Sequence, residues 1–383
     1  MTSHHPKNRL VRREVLLSGG AWAASLAAAA CSRRNEVEAE PDAGRPTPIV
    51  WKVQNYIGGD TESFRLFKRF CASVGELSEG RLVFEPHPLG SIVGLFDIFE
   101  AVKTGKLDAA TTGPFYQAAK IPELSFLSSY PLGLDRPDQW ETWFYELGGL
   151  SVARRMHEPH NIRFVGPVQH DLNIIHSRVP IRSFEDFRGK KVRMPGGLVA
   201  DVFTAAGAKT VLTSADQIYP GLASGSLDAA DFVGPAVNYD LGFASVAKYI
   251  IMGPPATPCI HQPCDLECVL ANMDRWRALP PHLQQVVEYA VRRYSWDHYG
   301  AIQKANTLVW DKYKAKGVEI LRISDADVNK FRRVAIPLWF KWAKKTPLGR
   351  EAFASQLAYM KSPSVDYVDD SMLVDTDGKP LSL

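Results

Sequence analysis

The stretch from Gly105 to Pro114 reads GKLDAATTGP, and from Gly225 to Pro235 the chain reads GSLDAADFVGP, one residue longer. Asp228 stands 120 positions after Asp108, and the signals around the two copies recur in the same order. Before the first copy, the β-branched run 48–54 leads to Gly58-Gly59. Asp60 and Thr61 then offer an N-cap for a helix whose buried face is spaced through Phe64, Phe67, Phe70, Cys71 and Val74. Gly80 stops that helix, 81–86 alternates as a strand, and a second helix over 92–104 ends at Gly105, where glycine tolerates a left-handed backbone. Residues 107–112 form the third strand. Before the second copy, 190–194 reads as a strand, Gly196-Gly197 as a break, 199–206 as a helix and 209–212 as a strand. A helix capped at Thr213 or Ser214 runs to Ala223, and 227–233 closes the unit. One shared hexapeptide is within the reach of chance; matched glycine pairs and a matched element order are not. The pattern predicts two related α/β lobes, with parallel sheets covered by helices because parallel neighbours need crossover connections.

A chain of 383 residues has room for two such cores. Its 45 basic and 42 acidic residues nearly balance, so there is no electrostatic footprint for nucleic acid or an anionic membrane. Arg12-Arg13 ahead of the Ala-rich run 19–30 predicts a twin-arginine export signal over 1–31 and a periplasmic protein. That run is shorter than the roughly 20 residues a membrane span needs. Cys31, directly after three alanines, is a candidate lipid anchor, and the polar residues 32–47 read as a tether. The remaining organisation is a first lobe over 48–165 with later returning segments, a second lobe over 166–280, long helices over 281–362 that brace both, and a flexible, acidic tail over 363–383.

In open α/β sheets ligands bind beyond the carboxyl ends of strands. Two lobes would place both Gly-Pro loops across a cleft that closes around a small solute, without covalent chemistry. Arg193, at the end of a predicted strand and just before Pro195-Gly196-Gly197, is suited to fork onto a carboxylate. Asp231 occupies the position where the first copy has Thr111. A buried carboxylate there needs a partner or a cation, and Na⁺ or Ca²⁺ would accept oxygens from Asp231, the Phe232 carbonyl, Gln262, Gln169 and Asn173. The run Cys259-Ile260-His261-Gln262-Pro263-Cys264-Asp265-Leu266-Glu267-Cys268 is a second candidate, as a metal or redox centre of an exported protein. Its spacing does not match a paired zinc knuckle. Cys71, Cys259, Cys264 and Cys268 are an even set for an oxidising compartment, so a local disulfide is the preferred reading, with free thiols and a metal as alternatives. No GxSxG, HExxH, P-loop or dinucleotide fingerprint is present. His170-Asp171, adjacent in an extended segment, would face opposite ways and make a poor dyad.

The run PIRSFEDFRGKKVR from Pro180 to Arg193, and ADQIY at 215–219 leading into GSLDAA, resemble the solute-binding proteins of tripartite ATP-independent periplasmic (TRAP) transporters. The resemblance extends over residues 48–345. DFVGP at 231–235 is similar to the branch that takes 2-oxo and hydroxy acids together with a cation. The resemblance implies a two-lobed periplasmic-binding-protein-like fold, transport and no enzyme activity, no required cofactor, and membrane permease subunits as partners. It also implies dimerisation through the C-terminal helices. By the same resemblance Arg193 clamps the ligand carboxylate, while Asp231 and the Phe232 carbonyl hold a Na or Ca ion. Gln169 or Asn173 adds an oxygen, and Tyr116 reaches the ligand from the first lobe. The chain departs from that branch at Gln262, a neutral amide where an acid is usual, and in a short insertion that includes Cys259.

Overall fold

The computed structural model describes residues 47–383. The expected export signal, the Cys31 anchor and nearly all of the tether lie outside the described residues. Eleven strands form two sheets: β1 (Ile49–Gln54), β2 (Leu82–His87), β3 (Ala109–Thr112), β4 (Ile162–Gln169), β5 (Ile174–Ser177), β6 (Lys191–Arg193), β7 (Lys209–Val211), β8 (Ala229–Phe232), β9 (Tyr249–Met252), β10 (Leu266–Asn272) and β11 (Glu319–Arg322). The first sheet runs β2-β1-β3-β10-β4 and the second β7-β6-β8-β5-β9-β11. In each, the three strands of the repeat are parallel. The fourth strand is antiparallel to both neighbours, β10 in the first sheet and β5 in the second.

The mixed pairing corrects the all-parallel expectation, and connectivity explains it. β5 enters the second sheet directly from β4 of the first, and β10 enters the first from β9 of the second. A strand that crosses between lobes needs no helical crossover and inserts antiparallel. The first sheet therefore contains β10, a returning segment from within 166–280, and the end of β4 from Gly166 to Gln169, which the 166–280 boundary put in the second lobe. The second sheet gains β11, for which the sequence reading had no signal.

The repeated phrase has one structural duty. Gly105 and Gly225 adopt φ +76° and +80°, ending α2 (Ile98–Lys103) in the first lobe and its counterpart in the second, Ala215–Ser224. The Leu107 and Leu227 amides bond back to the Ala101 and Gly221 carbonyls, both at 3.0 Å. The Asp108 carboxylate accepts the Lys52 amide at 2.8 Å, and Asp228 accepts the Lys191 amide at 2.8 Å. Each aspartate thus fixes the register of its strand against the first strand of its lobe. Ahead of α2 stands α1 (Glu62–Leu77), where Thr61 Oγ1 accepts from the Phe64 amide at 3.3 Å, the cap the sequence anticipates.

Two further helices matter for the site: α3 (Pro281–Ala315), long enough at 35 residues to reach about 50 Å, and α4 (Asp325–Ala343). α3 stacks Tyr294 on Phe70 of the first lobe at 4.7 Å, while farther along Tyr313 donates to the Pro235 carbonyl of the second at 2.8 Å. α4 sets Phe331 against Phe184, Phe187 and Phe203 of the second lobe, and Trp339 against Tyr130 of the first. The C-terminal segment departs from the flexible tail expected. Val368 and Leu373 are buried against the core, and Val374 bridges Pro380. Among the described residues no helix is long and apolar enough to cross a membrane.

Candidate functional site

Arg193 is the last residue of β6, paired with Ala230 of β8, and its side chain is 1% exposed. Burying a guanidinium requires partners. Nη1 donates to the Asp231 carbonyl at 2.8 Å and to Asp231 Oδ2 at 3.1 Å, and Nε donates to the Thr213 carbonyl at 3.3 Å. The Phe232 ring lies 5.2 Å from the guanidinium carbon. Nη2 has no partner among the described residues.

Asp231 is engaged on both sides, because His261 Nε2 bonds Oδ1 at 2.7 Å. On the far side of that ring, Nδ1 lies 3.4 Å from Cys259 Sγ. Burial works to discharge the His261 imidazole, but Cys259 and Asp231 beside it outweigh burial and hold its pKa at about 10. One carboxylate is thus shared by two cations, Arg193 and His261, which is a stable way to bury all three. Sequence reading placed His261 only among the cysteines. The pairing joins residues 30 apart in the chain and had no local signal.

The first lobe faces this group with neutral groups. Tyr116 sits in the 3₁₀ turn Pro114–Gln117 that follows β3. Burial pushes its hydroxyl up to about 12 against the pull of the Arg193 guanidinium, with Asp265 and Asp231 adding to the push. Asn55 and Tyr56 follow the carboxyl end of β1. Burial, then Glu267 and Asp265, holds the Tyr56 hydroxyl well above its ordinary range. Among the described residues, Asn55 Nδ2, Tyr56 Oη, Asn173 Oδ1 and Thr213 Oγ1 are buried without hydrogen-bond partners, as is Arg193 Nη2. Asn55, Tyr56, Arg193 and Thr213 sit at or just beyond the carboxyl end of a strand, and Asn173 immediately precedes β5. Buried polar groups in proteins are almost always satisfied, so these orphans are candidates for contact with a ligand. The rule that put Arg193 and Tyr116 at the cleft also points to Asn55, Tyr56 and Thr213, which the sequence reading did not use.

The expected oxygen cage is not assembled as one unit. Gln169 donates to the Pro137 carbonyl at 3.1 Å and accepts from Cys264 Sγ at 3.2 Å, inside the first lobe. Gln262 donates to Asp265 Oδ1 at 3.0 Å and accepts from Asn173 Nδ2 at 3.0 Å. Asn173 Oδ1 and the Asp231 carboxylate remain as oxygen donors toward a hard cation, and Asp231 would have to release His261. Asp265, also bonded by Ser128 at 3.0 Å and the Leu266 amide at 2.9 Å, is raised to about 7 by burial, with His170 opposing.

All four described cysteines are free and buried, which corrects the disulfide expectation. Cys71 is packed in the α1 core, Cys264 bonds Gln169, and Cys268 donates to the Thr112 carbonyl at 3.2 Å. Of the Cys259-His261-Cys264-Cys268 set, only Cys259 and His261 meet, so the metal or redox centre built on it is not formed. The His170-Asp171 expectation is also corrected. β4 ends at Gln169, and in the segment that follows His170 Nδ1 contacts Asp171 Oδ1 directly.

The family model of the bacterial extracellular solute-binding proteins, family 7, matches residues 56–346. The chain belongs to this family. It is a TRAP-type solute-binding protein, a transport component and not an enzyme. A monocarboxylate 2-oxoacid-binding periplasmic protein of Nostoc sp. is 25% identical over 352 residues, covering 91% of this chain and 94% of that protein. An apo, open TRAP periplasmic solute-binding protein of Rhodobacter sphaeroides is 27% identical. It aligns over 82% of this chain and 99% of its own, with a TM-score of 0.63. One from Colwellia psychrerythraea, solved with calcium and pyruvate, is 23% identical over 82% of this chain and 94% of its own, with a TM-score of 0.74, a likeness of fold. In this solute-binding protein the charged groups cluster at the strand ends of one lobe, and Tyr116 meets them from the other.

Proposed function

We propose that this solute-binding protein captures a small monocarboxylate of the 2-oxo acid class outside the cytoplasm and hands it to membrane permease subunits. The observation that carries the reading is Arg193 Nη2: a fully buried cationic donor without a partner, flanked by the Phe232 ring and met by Tyr116 across the cleft. A carboxylate there completes the guanidinium, and the Tyr56, Thr213 and Asn55 donors are on hand for its remaining oxygens. The relative from Nostoc is named for 2-oxoacids, and the Colwellia structure holds pyruvate, which supports the same class. No cofactor is required. A companion Na⁺ or Ca²⁺ would draw on Asn173 Oδ1 and Asp231. Export by the twin-arginine route and attachment at Cys31 belong to the same proposal.

Calorimetric titration with pyruvate tests the assignment. Arg193→Ala is expected to lower affinity at least tenfold, and Arg193→Lys, which keeps the charge but not the fork, to lower it less. Wild-type affinity in folded Arg193→Ala would remove the clamp role.

A further inference from the structure

A second group of buried titratable side chains has no part in the acid site just described. His170 directly follows β4, Glu267 lies on β10, and His298 lies midway along α3. Each presents one ligand atom, and the three atoms lie within 4.8 Å of one another. His170 and His298 are fully buried and Glu267 is 2% exposed.

The contacts around the two histidines show which nitrogen of each faces inward, and for His298 they also fix the tautomer. His298 Nδ1 is 2.9 Å from the Gln169 carbonyl, which can only accept, so Nδ1 carries the proton and Nε2 keeps its lone pair, now met by the Ser63 hydroxyl at 2.8 Å. His170 Nδ1 meets the Asp171 carboxylate and also lies 2.9 Å from the Asp171 amide, while Nε2 stands 3.7 Å from Glu267 Oε1 and is the nitrogen on the inner side. Asp171 is itself positioned by the Gly234 amide at 3.0 Å and Asn306 Nδ2 at 2.5 Å. Imidazoles whose outer nitrogen donates to a carboxylate or a carbonyl are the usual form of metal-binding histidine. Among the described residues, His170 Nε2, both Glu267 carboxylate oxygens and the nearby Tyr56 and Tyr294 hydroxyls have no hydrogen-bond partner. The carboxylates of Asp171 and Asp265 lie near Glu267, and the basic side chain that pairs with Asp171 and Glu267 is His170 itself, which takes a metal only by giving up its own inner proton.

We propose that His170, Glu267 and His298 form a binding site for a zinc-class divalent cation, separate from the acid site at Arg193. Two imidazole nitrogens and a carboxylate select a borderline cation over Na⁺ or Ca²⁺, which take oxygen ligands. Metal–ligand distances of roughly 2.0–2.2 Å require the three side chains to draw together by about 1 Å, with Ser63 releasing His298, and leave a fourth position to water or the Tyr294 hydroxyl. A cavity of 420 Å³ lined by Asp135, Arg136, Asp138, His170 and Asp171 adjoins the site on the His170 side. The ion would tie β4, β10 and α3 together. β4 and β10 are the strands that leave for, and return from, the second lobe, so bound metal stiffens the first-lobe side of the crossing.

The test uses chelator-stripped full chain titrated with Zn²⁺, and with Co²⁺ as a spectroscopic probe. One Zn²⁺ per chain, a raised melting temperature, and Co²⁺ absorption without thiolate charge transfer are the expected results. Glu267→Gln and His298→Gln, checked for folding, should each weaken Zn²⁺ at least tenfold. No stoichiometric Zn²⁺ in the wild type, or a thiolate band that moves the ion to the cysteines, overturns the site. So does equal uptake by both folded variants, and the Co²⁺ spectrum decides the matter if neither variant folds.

Discussion

In the first lobe β3 runs out through Thr111 and Thr112, and Thr111 Oγ1 does no more than accept the Tyr56 amide at 3.3 Å. In the second, β8 runs out through Asp231 and Phe232, which hold Arg193 in place by a carboxylate, a carbonyl and a ring face. Up to Ala110 and Ala230 the lobes are built alike, with the same aspartate-to-amide bond and the same left-handed glycine. The difference begins one residue later and assigns the work. Charge for a carboxylate is concentrated in the second lobe, where internal pairing makes its burial tolerable. The first lobe contributes hydroxyls and an amide that carry no charge and therefore gain little until a ligand is between them. An empty cleft is thus free to stay open, and a loaded one has a reason to close.

The largest effect expected from comparing the lobes is on acid stability. His157 in the first lobe and His176 in the second are both buried neutral, away from the acid site. Burial lowers His157 in the first lobe to about 4, with the Ala153 carbonyl opposing, and His176 on β5 to about 3. Both pKa values lie below the unfolded value of about 6.5. The stability they contribute is complete above that pH and is lost as pH falls toward the folded values, because the unfolded chain takes the proton first. Each should forfeit about 2 kcal/mol between pH 7 and pH 5. Urea denaturation at the two pH values measures the loss. His176, with neither ring nitrogen bonded, is the cleaner probe: His176→Phe keeps the packing against Phe243 and Tyr313 and should remove its share. An unchanged pH slope in that variant would mean His176 is not held neutral by burial.

A smaller effect tests whether the repeated aspartates are equivalent. Asp108→Ala and Asp228→Ala each remove one charged acceptor from a strand amide, at an expected cost of about 1–2 kcal/mol in denaturation. Asp108 also pairs with Arg275 at 3.0 Å, but that arginine is mostly exposed and adds little. Both variants should bind pyruvate as the wild type does. Costs that differ widely, or a lost affinity in one alone, would show that the two aspartates have diverged in duty, and not only the residues after Ala110 and Ala230.

The legible part of this molecule was local. The helix cap at Thr61, glycine stops, the strand ends carrying Arg193 and Asp231, and the run that became α3 all depend on neighbours a few residues away. Pairing across distance was concealed. β10 joins the first sheet because a strand returning from the other lobe fills the slot beside β3, and no pattern within 266–272 says so. His261 finds Asp231, and Gln169 turns to Pro137 and Cys264, for reasons set by how the lobes meet. Cysteine parity suggested a disulfide, yet all four thiols are individually enclosed. His170 and Asp171 meet although they are adjacent, because the imidazole folds back onto the next residue's carboxylate, which chain alternation alone does not foretell.

The smallest effect is the most specific to closure. Tyr116→Phe deletes one hydroxyl from the first lobe and leaves the ring against Phe115 at 4.6 Å and Phe96 at 5.9 Å, so the turn should keep its shape. If the second lobe supplies the charge and the first reads occupancy, losing this hydroxyl should weaken pyruvate about threefold to tenfold, the worth of a neutral hydrogen bond, and less than Arg193→Ala does. Burial keeps the hydroxyl protonated up to about 12, so the difference between wild type and Tyr116→Phe should be constant from about pH 7 to pH 9. A loss as large as that of Arg193→Ala, or one that grows with pH across that range, would move part of the charge recognition into the first lobe and dissolve the division between them.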